Sequence, residues 1–168
     1  MIELTSTIHA LATGPISSGG TRALLRLTGP GVPHLCTALA PTLITARPSA
    51  TKTILHLAPP ADAHAAPIEL PALAIFAKAP HTFTGQDTLE LLLPANQTLI
   101  DLILATLQQA AAALNASNKH IPLHLRPALP GEFAARAVIL GKLDASQAEA
   151  IGALISAGNA SELAAARA

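Results

Sequence analysis

The first two thirds of the chain consist of short apolar segments separated by glycine, proline and polar residues. This pattern predicts six β-strands, at residues 7–12, 23–28, 53–57, 69–77, 88–93 and 121–125. Two of these segments contain a proline, which cannot donate a backbone hydrogen bond. We therefore expect an edge or a bulge at Pro71 and a sheet edge at Pro122. Residues 14–20, 45–52, 58–67 and 80–87 are predicted to be loops or turns.

Apolar residues at helical spacing predict the helices. A short helix is expected at residues 33–39. The longest one should follow Asn96 as its N-cap, with an apolar face formed by Leu99, Ile100, Ile103 and Leu107. All of the chain after Pro130 is predicted to be helical.

Near the C-terminus, Asp144 and Gln147 have the spacing of a capping box. The helix that they begin carries an apolar face of Ile151, Leu154 and Ile155. Several strands, one long helix and a helical tail indicate an α+β fold. We place the α+β domain at residues 1–128, and at residues 129–168 the start of a helical domain that is cut short.

Composition narrows the function classes. The net charge is zero, 12% of residues are charged, and the only aromatic residues are Phe76, Phe83 and Phe133. Autonomous nucleic-acid binding is disfavoured, because it usually needs a basic surface or a stacking platform. A surface with so little charge tends to associate, so an oligomer is expected.

The compartment prediction follows from what the sequence lacks. The single Cys36 excludes an internal disulfide, and the first residues show no basic segment followed by a long apolar one. No apolar run approaches the roughly 20 residues that span a bilayer. We expect a cytoplasmic protein that does not contact membranes.

Two charged residues interrupt apolar strands. Arg26 is predicted to lie on the Leu24 face of its strand, opposite Leu25 and Leu27, and Glu90 is the one charge in the strand 88–93. A charge in such a strand must be paired, solvated or used by a ligand. From the residues alone, an Arg26–Glu90 pair or exposure to water is the more common outcome.

Other candidate chemistry is weak. Lys142 follows Gly141 at a helix end, where a solvated lysine is favoured by the helix dipole. The sequence contains no G-x-x-x-x-G-K-[ST] motif, so we expect no GTP site. The seven histidines are scattered without suitable partners, and no metal site or catalytic residue is predicted.

Three separated blocks carry a family resemblance. The first consists of TI at 7–8, AT at 12–13, GG at 19–20 and LLRLTGP at 24–30. The second is PHTFTGQDTLE at 80–90, and the third is PGEF at 130–133, RA at 136–137, GKLD at 141–144 and QAEA at 147–150. In this order and spacing they resemble the N-terminal region of the tRNA-modification GTPase family called MnmE or TrmE.

The resemblance implies a mixed β-sheet with flanking helices, in the folate-binding fold shared with aminomethyltransferases. It implies that Arg26, Glu90 and Lys142 bind 5-formyltetrahydrofolate or a related reduced folate, the one-carbon source for modification of the wobble uridine. It also implies a homodimer, and within the family an FAD-dependent tRNA-modification partner protein and tRNA. The family's GTPase domain and C-terminal cysteine motif do not occur in this sequence.

The chain departs from the family pattern at several positions. Pro94-Ala95-Asn96 replaces a His-Gly-Gly turn, and Ser6, Leu140 and Ala145 replace an aspartate, an asparagine and a leucine. One alternative is therefore a purely structural dimerisation domain of a diverged paralogue. A second alternative is a one-carbon enzyme of the aminomethyltransferase type. It is favoured less, because no catalytic aspartate constellation is evident.

Overall fold

A computed structural model describes residues 2–13, 21–43, 50–58, 66–117 and 122–165. It contains six strands in one sheet, ordered β3-β4-β5-β2-β1-β6. The strands are β1 (Thr7–Leu11), β2 (Arg22–Thr28), β3 (Ala50–Leu57), β4 (Ile68–Ala77), β5 (Thr88–Pro94) and β6 (Leu125–Pro127). Neighbours are antiparallel except β1 and β6, which are parallel, so the sheet is mixed.

Five α-helices accompany the sheet in the described part of the chain. They are α1 (Val32–Leu39), α2 (Gln97–Ser117), α3 (Glu132–Ile139), α4 (Ala145–Ser156) and α5 (Ala160–Ala165), and a short 3-10 helix, Pro41–Leu43, follows α1. The predicted α+β class with a mixed sheet and flanking helices is confirmed. The proposed domain boundary at residue 128 stays a prediction.

One face of the sheet forms the hydrophobic core. Strand periodicity directs alternate leucines of β2 and β5 toward α1 and α2, where they are buried with the apolar faces of both helices. The core includes Leu25, Leu27, Leu89, Leu91 and Leu93 from the strands, and Val32, Leu35, Cys36, Leu39, Ile103 and Leu107 from the helices. The opposite face, which carries Leu24 and Arg26, is thereby left for other contacts.

The N-terminus of α2 follows the prediction. The Asn96 Oδ1 accepts a hydrogen bond from the Leu99 backbone N–H at 3.1 Å, and Ile100, Ile103 and Leu107 are buried. The length and composition of α2 alone would allow it to cross a membrane. This is weak support for a membrane span, because the core helix of a soluble protein passes the same test and α2 packs on α1 and β3.

Two predicted boundaries were wrong. Residues 45–52 were expected to be a loop, but β3 begins at Ala50, while residues 44–49 lie outside the described residues. β3 is an edge strand with exposed alternate positions, so it accommodates Lys52 without burying it. The predicted strand 121–125 is instead β6 at Leu125–Pro127, although it does lie at the sheet edge.

The residues before β6 are held by a side chain rather than by a strand partner. Asn115 accepts a hydrogen bond from the Leu123 N–H at 2.6 Å and donates one to the Leu123 carbonyl at 3.0 Å. These bonds compete with strand pairing.

Pro71 lies in a part of β4 that pairs with β3 alone, because the β4–β5 pairing begins at Leu73. The missing N–H of proline therefore breaks no ladder bond toward β5. The predicted loop at 14–20 lies outside the described residues.

The predicted capping box of α4 is present. The Asp144 carboxylate accepts from the Gln147 N–H at 2.7 Å, and the Gln147 side chain accepts from the Asp144 N–H at 3.0 Å. The apolar face of this helix is not covered: α4 has no buried residue within the part of the chain that the structure describes, and Ile155 is exposed. Packing therefore does not fix α4 as it fixes α2.

Gly29 marks the point where β2 ends beside β1 and the 80–87 loop. Its φ is +133°, and a Cβ at this position would lie 2.7 Å from the Thr7 Cα and 2.8 Å from the Ser6 carbonyl oxygen. Its N–H donates to the Asp87 carbonyl at 3.0 Å. Only glycine satisfies both the conformation and the close approach.

We predict that Gly29→Ala lowers the free energy of unfolding by about 3 kcal/mol, because positive φ and overpacking each cost about 1–3 kcal/mol. Urea unfolding measures the change. Gly152→Ala is the matched control, since the added Cβ would meet no atom within 4 Å apart from its chain neighbours and the backbone of its own helix. Alanine there should leave the midpoint unchanged or raise it. Equal losses in both variants would contradict the steric account.

Candidate functional site

Arg26 and Glu90 face each other across neighbouring strands. The β2–β5 register places Arg26 directly opposite Glu90, and the β4–β5 register places Ile75 on the other side of Glu90. The Arg26 Nε and Nη2 both lie 2.7 Å from the Glu90 Oε1. Their side chains are 31% and 26% exposed, so the pair is reachable from solvent. It lies on the face that α1 and α2 leave uncovered.

A cavity of about 140 Å³ adjoins this pair. Its wall combines the two charged side chains with hydroxyl groups and aromatic rings, and it is formed by Arg26, Ile75, Ala77, Thr82, Phe83, Thr84, Thr88, Glu90 and Phe133. The strands supply the polar end, the 80–87 loop supplies one rim, and α3 supplies another. The arrangement can bind a small group that has both apolar faces and a polar edge.

Two of the three phenylalanines of the chain line this cavity. The Arg26 Cζ lies 5.9 Å from the centroid of the Phe133 ring, within cation–π range. Phe83 is 42% exposed at the rim, an unusual position for a phenyl ring. Neither ring was predicted to belong to a site. Their occurrence in the quoted sequence blocks was the available signal.

The 80–87 loop is held by its own hydrogen bonds. The Thr82 hydroxyl donates to the Gln86 carbonyl at 2.6 Å, and the Asp87 Oδ1 accepts from the Ala79 N–H at 2.7 Å. At the base of the loop, the hydroxyls of Thr84 and Thr28 are 2.7 Å apart. The loop therefore presents its cavity residues from a fixed backbone.

Lys142 lies beside this loop but not in the cavity wall. It follows Gly141, whose φ is +68°, and its backbone N–H donates to the Ala137 carbonyl at 2.7 Å. Its side chain passes over Gly85, since a Cβ built at Gly85 would lie 3.1 Å from the Lys142 Cε. The structure thus pairs Arg26 with Glu90 and places Lys142 at the outer side of the loop.

Behind the loop lies a second charged cluster, whose centre is the fully buried Arg136. The Arg136 guanidinium donates to the carbonyls of Glu3 and Ser6 and to the Gln86 Oε1, at 2.8, 2.8 and 2.9 Å. It also donates to the Glu132 Oε1, from Nη2 at 2.9 Å and from Nε at 3.2 Å. Arg136 therefore connects the N-terminal segment, the 80–87 loop and α3.

Glu132 balances the charge of this cluster. Its carboxylate accepts two hydrogen bonds from Arg126, at 2.6 and 2.8 Å, and one from the Leu129 N–H at 2.9 Å. The hydrogen bonds from Arg126, with further bonds from Leu129 and Arg136, lower the pKa of Glu132 to about 2 despite its burial. The four-residue spacing of Glu132 and Arg136 was a sequence signal for this pair, which the sequence analysis did not use.

Larger hollows lie elsewhere on the surface. One of about 620 Å³ lies beside β3 and includes Lys52 and His56. Another of about 400 Å³ lies between α2 and β6 and includes Arg126, which is already committed to Glu132. Neither brings together opposite charges and aromatic rings as the smaller cavity does. We therefore take the cavity at Arg26 and Glu90 as the candidate site.

The structure offers little for other chemistry. Burial raises the pKa of the Cys36 thiol to about 12, which keeps it protonated and unreactive in the core. Among the described residues, no group of three His, Cys, Asp or Glu side chains is placed to hold a metal ion. The polar groups at the cavity are suited to binding a ligand.

Comparison with known proteins identifies similar sequences. The family described as GTP-binding protein TrmE N-terminus matches residues 7–142, a range that includes Arg26, Glu90 and Lys142. The tRNA modification GTPase MnmE of Polaromonas naphthalenivorans is 40% identical over 151 residues, covering 89% of this chain and 30% of that protein. The proteins of the same name from Leptothrix cholodnii and Alkalilimnicola ehrlichii are 36% and 37% identical, with 29% of each covered. The chain thus spans about three tenths of the length of these curated relatives.

We predict that Glu132 makes the protein sensitive to acid. Because its pKa is depressed to about 2 from an ordinary 4.5, the stabilisation is complete above pH 4.5 and is lost as the pH falls toward 2. Glu132→Gln should cost about 3–5 kcal/mol at neutral pH, since it leaves buried Arg136 without its counter-ion. It should also flatten the pH dependence of the unfolding free energy between pH 4.5 and 2.

Urea unfolding at several pH values measures both effects. Glu149→Gln is the control, because Glu149 is an exposed glutamate on α4, and its replacement should change stability by less than about 0.5 kcal/mol. An unchanged acid slope in Glu132→Gln would contradict the assignment of the low pKa to this carboxylate.

Proposed function

Because the chain belongs to the family of GTP-binding protein TrmE N-termini, we propose that it is the reduced-folate-binding and homodimerisation module of a tRNA-modification GTPase. The proposed ligand is 5-formyltetrahydrofolate or a close relative, used as the one-carbon source for the wobble uridine. The observation that carries the proposal is the Arg26–Glu90 pair, which is accessible and adjoins a cavity with two aromatic rings.

The chemistry of the pair suits a folate. A pterin presents adjacent N–H donors, and the carboxylate of Glu90 is an acceptor for them. The glutamate tail of a folate carries carboxylates, which Arg26 or Lys142 can hold through charge-assisted hydrogen bonds. The exposed position of Lys142 over Gly85 supports a contact with the part of the ligand that extends beyond the cavity.

The remaining parts of the proposal rest on the membership of the chain in this family. GTP hydrolysis belongs to a P-loop that this sequence does not contain, so the module itself would bind and position the folate. We propose that it acts in the cytoplasm with an FAD-dependent tRNA-modification partner protein and with tRNA. No catalytic residue is assigned to this chain.

Support for dimerisation comes from the surface. Several large apolar side chains are exposed in the described part of the chain, among them Ile54, Ile68, Leu129, Ile139 and Ile155. The net charge of zero provides little repulsion between copies. A second copy of the chain would cover part of this surface.

One observation favours the alternative of a purely structural dimerisation domain. Arg26 and Glu90 bind each other at 2.7 Å, as charges in neighbouring strands do without any ligand. An ion pair that is partly exposed contributes only about 0–1 kcal/mol to stability. Removing one partner therefore distinguishes the two functions. If the pair binds the ligand, the removal lowers ligand affinity. If the pair is only structural, the removal changes stability slightly and nothing else.

We predict that the chain binds 5-formyltetrahydrofolate and that Glu90→Ala weakens this binding by about 1.5–3 kcal/mol, the usual loss for a hydrogen bond to a charged group. The fold should survive, because the pair is partly exposed. Titration calorimetry measures the affinity, and urea unfolding checks the fold.

Glu69→Ala provides the matched control. Glu69 is also a strand glutamate, but it is exposed on β4, and its Oε1 lies 4.0 Å from the His56 Nδ1. Its removal should leave folate affinity unchanged. A wild-type chain without folate affinity, together with only a small change in stability in Glu90→Ala, would favour the structural alternative.

We also predict that the chain forms a dimer at micromolar concentration, because it exposes apolar side chains and has no net charge that would make two copies repel each other. Analytical ultracentrifugation measures the molar mass directly. A single monomeric species over the whole concentration range would contradict the dimerisation half of the proposal and leave the folate half unaffected.

A further inference from the structure

We propose that Gln86 is a positioning residue that holds the 80–87 loop against Arg136, and that ligand affinity depends on this link. Gln86 itself does not line the cavity. The proposal rests on the proposed folate function, because the effect of the link is measured at that site. It assigns a role to a polar side chain that belongs neither to the charged trio nor to the cavity wall.

The side chain of Gln86 makes two hydrogen bonds of opposite polarity. Its Oε1 accepts from the Arg136 Nη1 at 2.9 Å, and its Nε2 donates to the Leu4 carbonyl at 2.8 Å. An amide can do both, whereas a carboxylate cannot donate and an apolar side chain can do neither. Gln86 therefore joins the loop to α3 on one side and to the N-terminal segment on the other.

Arg136 is a fixed partner for this amide. Its guanidinium is fully buried and donates to Glu132 and to the carbonyls of Glu3 and Ser6. A hydrogen bond from a charged donor is also about twice as strong as one between neutral groups. The bond to Arg136 is therefore the stronger of the two bonds that the Gln86 side chain makes.

The other hydrogen bonds of the loop do not replace this link. The Thr82 hydroxyl bonds within the loop, to the Gln86 carbonyl at 2.6 Å, and so it sets the shape of the loop. The Thr84 hydroxyl and the Asp87 carbonyl lie 2.7 and 3.1 Å from the Thr28 hydroxyl, and they hold the base of the loop on β2. None of these three bonds reaches α3, which forms another rim of the cavity. The Gln86 side chain connects the two rims.

A positioning role and a merely structural role predict different results. If Gln86 only stabilises the fold, its loss lowers the free energy of unfolding and leaves the affinity of the folded chain unchanged. If it positions the loop, fewer folded molecules have the loop in place, and the apparent affinity falls by that fraction. Affinity measured on a folded variant therefore decides between the two roles.

Gln86→Met tests the link, because methionine keeps a similar volume and removes both hydrogen bonds. We expect titration calorimetry to show that 5-formyltetrahydrofolate binds about three- to tenfold more weakly, and urea unfolding to show that the variant is folded. Gln86→Glu keeps an acceptor for Arg136 and should bind folate as the wild type does. If Gln86→Met does not fold, Gln86→Asn takes its place, because its amide is one methylene shorter and falls short of Arg136.

Hydrogen exchange of the whole chain tests the link without any ligand. The amides of residues 82–87 should exchange about three- to tenfold faster in Gln86→Met and at the wild-type rate in Gln86→Glu. Ile103→Val is one control, because it lowers the stability of the core on α2 and should leave exchange in the loop unchanged. Gln97→Met is the matched glutamine control, since the Gln97 side chain is exposed on α2 and bonds to Asp101. It should change neither loop exchange nor affinity.

The outcomes separate this proposal from the proposed function. Absence of folate binding in the wild type overturns the proposed function, and loop exchange then decides the link by itself. Unchanged affinity and unchanged loop exchange in Gln86→Met overturn the positioning role and leave the folate function standing. Equal losses of affinity in Gln86→Glu and Gln86→Met also overturn it, because the acceptor for Arg136 would then not be the feature that matters.

Discussion

The described structure depends on one buried guanidinium. Arg136 is completely enclosed, and a charge in that position is tolerated only when every donor finds an acceptor. Its donors reach Glu132 on the same helix, the segment of Glu3 and Ser6 before β1, and Gln86 in the 80–87 loop. A lysine could not replace it, because a single ammonium lacks the planar fork that reaches three segments at once.

This interaction also determines where the two rims of the candidate site lie. One rim is α3, which carries Phe133 and is anchored through Arg136, and the other is the loop that carries Phe83 and is anchored through Gln86. The Arg26–Glu90 pair, by contrast, is positioned by strand register alone. The sheet thus positions the charged pair of the site, and the Arg136 cluster positions α3 and the 80–87 loop at its two rims.

The sequence predicts the features that depend on neighbouring residues, and it does not predict those that depend on tertiary contacts. Periodicity located the core strands, α2 and the face on which Arg26 lies, because those features depend on neighbours in the sequence. It misplaced the start of β3, where an edge tolerates Lys52, and β6, where Asn115 holds Leu123. The Arg26–Glu90 contact was only one of the alternatives that the sequence left open, and the position of the phenylalanines at the cavity was not predicted. Both depend on which strands adjoin and how a loop folds, and local patterns do not contain that information.

The parallel pairing of β1 with β6 has a consequence for synthesis of the chain on the ribosome. Ser6 and Arg136 are 130 positions apart, and β6 also follows β1 by most of the domain. At translation rates of about 5–20 residues per second, the nascent chain waits on the order of ten seconds for these partners. During this time the outer edge of β1 presents unpaired backbone groups, a template for pairing with other chains. When β6 and α3 leave the ribosome, they therefore complete the candidate site and end the period in which this edge of β1 is unpaired.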